Sequence, residues 1–141
     1  MRRIATFVLA ALCLLAVTAQ AAGLSRAQRT KLTQYQEAYT AAVRWNDFDA
    51  ALELVDPAQR LAEGVTELTL ERYRQLQVSG YRERASRVLE DGSIERRMEI
   101  AVINRNTQAQ RMLTVREQWR WDAGAKRWWQ AAGLPDLWQG Q

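Results

Sequence analysis

Between Ser25 and Leu76 apolar residues return every three or four positions; from Tyr81 to Ala132 they return every second one. The first period belongs to half-buried helices and the second to strands with one buried face. The chain therefore reads as α+β, with a helical front and a sheet-forming back. Leu32, Tyr35, Tyr39 and Ala42/Val43 form the first stripe, opened by Ser25 and Gln28 at capping-box spacing and ending near Trp45. Asn46 or Asp47 caps a second helix with Phe48, Ala51, Leu52 and Val55 inward, and Asp56-Pro57 stops it. Ala58 to Glu63 adds a turn of helix closed by Gly64, and Thr66 caps a third helix running to about Leu76. Four strands follow, at Tyr81–Glu90, Ser93–Asn104, Ala109–Asp122 and about Lys126–Ala132. Asp91-Gly92 is a hairpin signal because both positions tolerate positive φ.

The alternation also fixes register, since a slip of one residue turns every side chain to the wrong face. A two-residue turn at Asp91-Gly92 sets Leu89 opposite Ile94, Ala85 opposite Met98 and Tyr81 opposite Val102. A four-residue loop from Arg105 to Gln108 pairs Asn104 with Ala109. Ile100 then lies opposite Leu113, Met98 opposite Val115 and Ile94 opposite Trp119. The shared apolar face holds a charged row in which Arg87 faces Arg96 and Arg96 faces Glu117, with Glu83 pointing to the same side. Buried charge must be paired or wetted. The row reads either as a satisfied ion cluster or as a polar spot in a pocket, whose surplus positive charge suits an anionic group. The opposite face is charged throughout, from Arg82 and Arg84 to Arg116 and Arg120, and reads as solvated; Arg97 stands across from Arg116. Of the six Trp, Trp119 and one of Trp128 or Trp129 meet across the last hairpin.

The segment ahead of this pattern is different. Arg2 and Arg3 precede an uncharged apolar run to Ala19, and Ala19-Gln20-Ala21 has the small-x-small form of a signal peptidase site. Residues 1–21 are expected to leave as a secretory signal, with 22–141 as a single domain. The expected compartment is the periplasm, with secretion as the alternative and no membrane span after cleavage. Losing Arg2 and Arg3 leaves 18 basic residues against 16 acidic ones, so the net charge falls from +4 to +2. That balance, with no long basic run, argues against nucleic acid. The chain has no His, and its one Cys, Cys13, lies in the leader. His-based acid–base catalysis and Cys/His zinc sites are excluded, and no cofactor or metal is expected.

Several residues resemble the superfamily named after nuclear transport factor 2, which includes ketosteroid isomerase and SnoaL-like cyclases. They are Tyr39, the run Trp45-Asn46-Asp47-Phe48-Asp49-Ala50-Ala51, Gly80-Tyr81, Asp91-Gly92, Glu117-Gln118-Trp119, and Trp128-Trp129 before Leu134-Pro135. The resemblance covers nearly the whole chain after residue 21. It implies three N-terminal helices packed on a curved four-stranded antiparallel sheet, cone-like, with a pocket between them. The candidate ligand-binding residues are Tyr35, Tyr39, Tyr81, Arg87, Arg96, Glu117 and Trp119. No residue is assigned a catalytic role, because the family's Asp or His base has no counterpart here. The expectation is an exported small-molecule-binding or accessory domain, monomeric or weakly homodimeric, taking a small apolar or anionic molecule. One alternative is an isomerase or cyclase using Glu117 as general base; another is a cell-envelope protein-interaction module.

Overall fold

The computed structural model describes residues 23–140, so the expected signal at 1–21 and its cleavage site lie outside the described residues. Four helices precede four strands: α1 (Arg26–Arg44), α2 (Phe48–Glu53), α3 (Pro57–Glu63), α4 (Glu67–Arg74), β1 (Leu76–Val88), β2 (Ile94–Asn104), β3 (Gln110–Asp122) and β4 (Arg127–Gln130). The strands form one antiparallel sheet in the order β1-β2-β3-β4. The chain is thus α+β, with four helices where three and an extra turn were expected. The fourth arises because Asp56 does more than stop α2. Its carboxylate accepts from the Ala58 amide at 3.0 Å, and Pro57 sits at the first position of α3, where its missing N–H costs nothing. Among the described residues, no helix is long and apolar enough to cross a membrane.

The caps follow the sequence signals. Ser25 Oγ accepts from the Gln28 amide at 3.1 Å, while Gln28 Oε1 accepts from the Ser25 amide at 2.9 Å. At the other end of α1 the ambiguity between two adjacent residues resolves by a division of labour. Asp47 caps α2 by accepting from the Ala50 amide at 3.0 Å. Asn46 takes the left-handed conformation, φ 59°, and clamps β1: Nδ2 donates to Leu76 O at 2.5 Å and Oδ1 accepts from the Val78 amide at 3.0 Å. That clamp accompanies a second correction. The last helix ends at Arg74, and β1 starts at Leu76, five residues before Tyr81.

The helices cover one face of the sheet. Tyr39, Ala42 and Val43 of α1, with Phe48, Ala51, Leu70 and Tyr73, pack on Leu76, Val78, Met98, Ile100, Val102, Leu113, Trp119 and Trp128. Trp128 is the inward member of its pair and Trp129 is half-buried. The C-terminal segment closes this core. Leu137 is fully buried, the Tyr39 hydroxyl donates to Gly133 O at 3.2 Å, and the Tyr73 hydroxyl donates to Pro135 O at 2.8 Å.

The β2–β3 register is the expected one throughout: Ile94 with Trp119, Arg96 with Glu117, Met98 with Val115, Ile100 with Leu113 and Arg97 with Arg116. The β1–β2 register is not. The Leu89 amide donates to Ser93 O and the Gly92 amide to Leu89 O, which makes a three-residue loop with Gly92 at φ 81°. Val88, not Leu89, therefore faces Ile94. Irregularities between Glu83 and Ala85 and between Val78 and Gly80 shift the ladder twice more. Tyr81 falls opposite Ile100 and Glu83 opposite Met98, still on the helix-covered side. Beyond the first irregularity the faces exchange: Ser86, not Arg87, lies across from Arg96.

Candidate functional site

The charged row survives in altered membership. Glu117 on β3 has a side chain only 2% exposed, and Arg96 on β2 one 8% exposed. Arg96 Nε and Nη2 donate to Glu117 Oε2 at 2.9 and 2.7 Å, and the Trp119 indole N–H donates to the same oxygen at 2.9 Å. The Tyr81 hydroxyl donates to Glu117 Oε1. Arg96 spends its remaining donors outward, with Nη1 donating to Glu83 Oε2 and Nη2 to Thr40 Oγ1, each at 3.3 Å. Of its five N–H groups, four are committed and one on Nη1 is left over.

Burial pushes the Glu117 carboxyl up from 4.5 to about 8, with the Trp119 N–H pulling the other way. The same desolvation pushes Arg96 down, opposed by Glu83. Each group is the other's compensation, since a buried charge is tolerable only when its partner is present.

The expected site residues separate into three groups. Tyr81, Arg96, Glu117 and Trp119 come together as described. Tyr39 packs edge-to-face on Trp119, with ring centroids 5.7 Å apart, but its hydroxyl turns to Gly133 and Gln130. Burial raises its pKa well above the ordinary value, which suits a neutral structural hydroxyl. Tyr35 and Arg87 do not join the cluster. Tyr35 is half-buried under the Arg127 guanidinium, which stands 4.8 Å from its ring and 3.5 Å from that of Trp129. Arg87 lies on the outer face, 68% exposed, and pairs with Glu95 at 2.8 Å. The three-residue loop at Gly92 is the reason for that move, and the irregularity before Ala85 returns Tyr81 and Glu83 to the helix-covered face.

Beside the cluster runs a groove of about 570 Å³ between α1 and the β1–β2 hairpin. Tyr81, Glu83, Arg96 and Met98 form the sheet side, and Thr33, Gln36, Glu37, Thr40, Ala41, Arg44 and Trp45 the helix side. Glu117 does not line it; Tyr81 and Arg96 stand between the carboxyl and the opening. Gln36 Nε2 is buried and finds no hydrogen-bond partner among the described residues. A buried amide donor without a partner costs stability, so its position here calls for an acceptor. Trp45, 84% exposed, flanks the same groove. Gln36, Thr40, Arg44 and Trp45 were not legible as site residues, because they occupy the flank of α1 beside its apolar stripe. Only their spacing by four, at 36, 40 and 44, marks a shared side.

Around the groove stand the Gln36 amide, the spare Arg96 N–H, the Arg44 guanidinium and the Thr40 hydroxyl as donors, two carboxylates, Glu37 and Glu83, and Trp45, Tyr81 and Met98 as apolar walls. Among the described residues no group of three or more Asp, Glu, His or Cys could hold a metal ion. No protein-family model, curated protein or solved structure matches this chain.

Proposed function

We propose that this chain is an exported, small-molecule-binding or accessory domain of the nuclear transport factor 2-like kind, working in the periplasm, and that the groove between α1 and the β1–β2 hairpin holds its ligand. The order of elements supports the family reading: helices first, then a four-stranded antiparallel meander, with the helices covering one face. In that reading the sheet curves around the helices and the groove is the mouth of the cone. The single observation that carries the binding role is Gln36 Nε2, a buried donor without a partner among the described residues, on a side chain that lines the groove beside Arg96. The ligand that fits is small and apolar with a carboxylate or carbonyl end, its oxygen taken by Gln36 and Arg96 and its body lying along Trp45.

The test is a titration with deoxycholate and decanoate, followed by NMR of the Gln36 side-chain amide and the Trp45 indole. Saturable shifts of both resonances, lost in Gln36→Leu and weakened in Trp45→Ala, are expected. Unchanged resonances across both acids, together with a Gln36→Leu protein that is simply more stable, would overturn the binding role. N-terminal sequencing of protein recovered from the periplasm should begin at Ala22; a chain that keeps Met1 refutes export with cleavage. The reading assigns no reaction, because a general base must reach the proton it takes and Glu117 sits behind Tyr81.

A further inference from the structure

Five arginines on three strands cluster on the outer face of the sheet, apart from Arg120, which pairs with Asp56 farther along β3. Arg82, Arg84 and Arg87 come from β1, Arg97 from β2 and Arg116 from β3. Two carboxylates meet them, and both are shared. Glu99 takes Arg82 at 2.8 Å and Arg84 at 2.6 Å; Glu95 takes Arg87 at 2.8 Å and Arg116 at 3.5 Å. Arg97 stands directly across the ladder from Arg116, and among the described residues it has no ion-pair partner. Five cations against two anions leave this patch three positive charges in excess.

Like charges directly opposed on a ladder weaken it. Here the opposed pair lies at a depression of about 610 Å³, lined by Arg87, Arg97, Arg116, Glu95, Thr114 and Gln139. Guanidinium groups present planar forks of donors that match phosphate and carboxylate oxygens, and several converging on one hollow match an ion with several such groups. We propose that this hollow is a second binding site, separate from the groove beside α1, for a compact soluble oxyanion carrying two linked phosphate-like groups. Arg97 and Arg116 hold one group from opposite strands, Arg87 reaches the other, and the Thr114 hydroxyl donates at the margin. Relief of the Arg97–Arg116 repulsion adds to the attraction. A bilayer surface fits less well. The site is recessed, and of the described large apolar residues most exposed to solvent only Met112 stands on this face to enter lipid.

The experiment is a titration of the isotope-labelled protein with inorganic pyrophosphate, followed through backbone amides, with orthophosphate and with phosphatidylglycerol vesicles in parallel. Pyrophosphate should saturate, with shifts clustered at Arg87, Arg97, Thr114 and Arg116, and should bind more tightly than orthophosphate. Arg97→Ala should weaken it by about tenfold or more, the scale of losing a charge-assisted hydrogen bond. Arg97→Lys, which keeps the charge and loses the fork, should fall between, and Arg44→Ala in the groove should leave it unchanged. Shift mapping on the unaltered protein locates the site whatever the variants do to folding. Absence of saturation, shifts confined to the α1 groove, equal affinity in Arg97→Ala, or binding to vesicles without binding to pyrophosphate would each overturn the proposal.

Discussion

Arg96 and Arg97 are consecutive residues of one strand, and they live in different physical worlds. Arg96 points to the helix-covered face, where its side chain is 8% exposed and its guanidinium is bonded to Glu117, Glu83 and Thr40. Arg97 points the other way, into solvent, opposite another arginine. The same charge is a structural necessity at one position and a mild burden at the next. What separates them is not the residue but the dielectric around it and the number of oxygens within reach.

The largest test of this contrast is Arg96→Met. Removing one partner of a buried pair leaves the other uncompensated, and the expected loss is about 3–5 kcal/mol in urea unfolding near neutral pH. The pH dependence carries a sign. Without the guanidinium the Glu117 carboxyl rises further above its unfolded value. Between those two values the folded state holds a proton that the unfolded state lacks. Stability is therefore greatest below the unfolded value and falls as pH rises through the folded one. Unfolding curves of Arg96→Met at acid and mildly alkaline pH should show the smaller loss at acid pH, and a pH-independent loss would contradict the account.

Next in size is the paired change Arg96→Met with Glu117→Leu. With both charges gone the penalty goes with them, and most of the single-variant loss should return, leaving mainly the orphaned Tyr81 hydroxyl and Trp119 N–H. A double variant no better than Arg96→Met would mean that the pair holds the hairpin by shape rather than by charge. Smaller again is Glu83→Gln. Its side chain is 46% exposed and its carboxylate touches Arg96 at 3.3 Å, so a loss below about 1 kcal/mol is expected. Smallest, and opposite in sign, is Arg97→Thr. It removes a cross-strand repulsion and should stabilise by a few tenths of a kcal/mol, up to about 1, with the gain shrinking as salt is added. A loss of several kcal/mol there would erase the distinction between the two faces.

The legible part of this molecule ends where the ladder stops counting by twos. From Ile94 to Trp119 nothing interrupts the alternation, and the Asn104-to-Ala109 loop closes as its length demands, with the Asn104 amide donating to Ala109 O at 2.9 Å. The pairing of Arg96 with Glu117 could therefore be read from the chain. In β1 the pattern was open to more than one count, because Asp-Gly serves both two-residue and three-residue loops. An extra residue before Ala85 also leaves no mark that a charged, exposed stretch would reveal. Arg87 went to the wrong face because of the loop, while Tyr81 and Glu83, one further shift away, came back to the right one. The groove was harder still. Gln36 and Thr40 belong to no stripe or motif, and their role follows only from which flank of α1 the hairpin approaches. The tail after Gly133 was equally hidden: two leucines and a proline look like an ending, yet Leu134 and Leu137 are core residues.

That tail has a consequence in time. Trp128 Nε1 donates to Gln28 O across 100 residues of chain, Tyr39 reaches Gly133, and Tyr73 reaches Pro135. A helix as polar as α1 gains little from its own hydrogen bonds and depends on what it packs against. During synthesis α1 is made well before Trp128 and Gly133, so it waits for them unpartnered. Contacts this distant are the slow ones to form, because the closure entropy must be met before any of them contributes. The core is complete only once Trp128, Leu134 and Leu137 have been made.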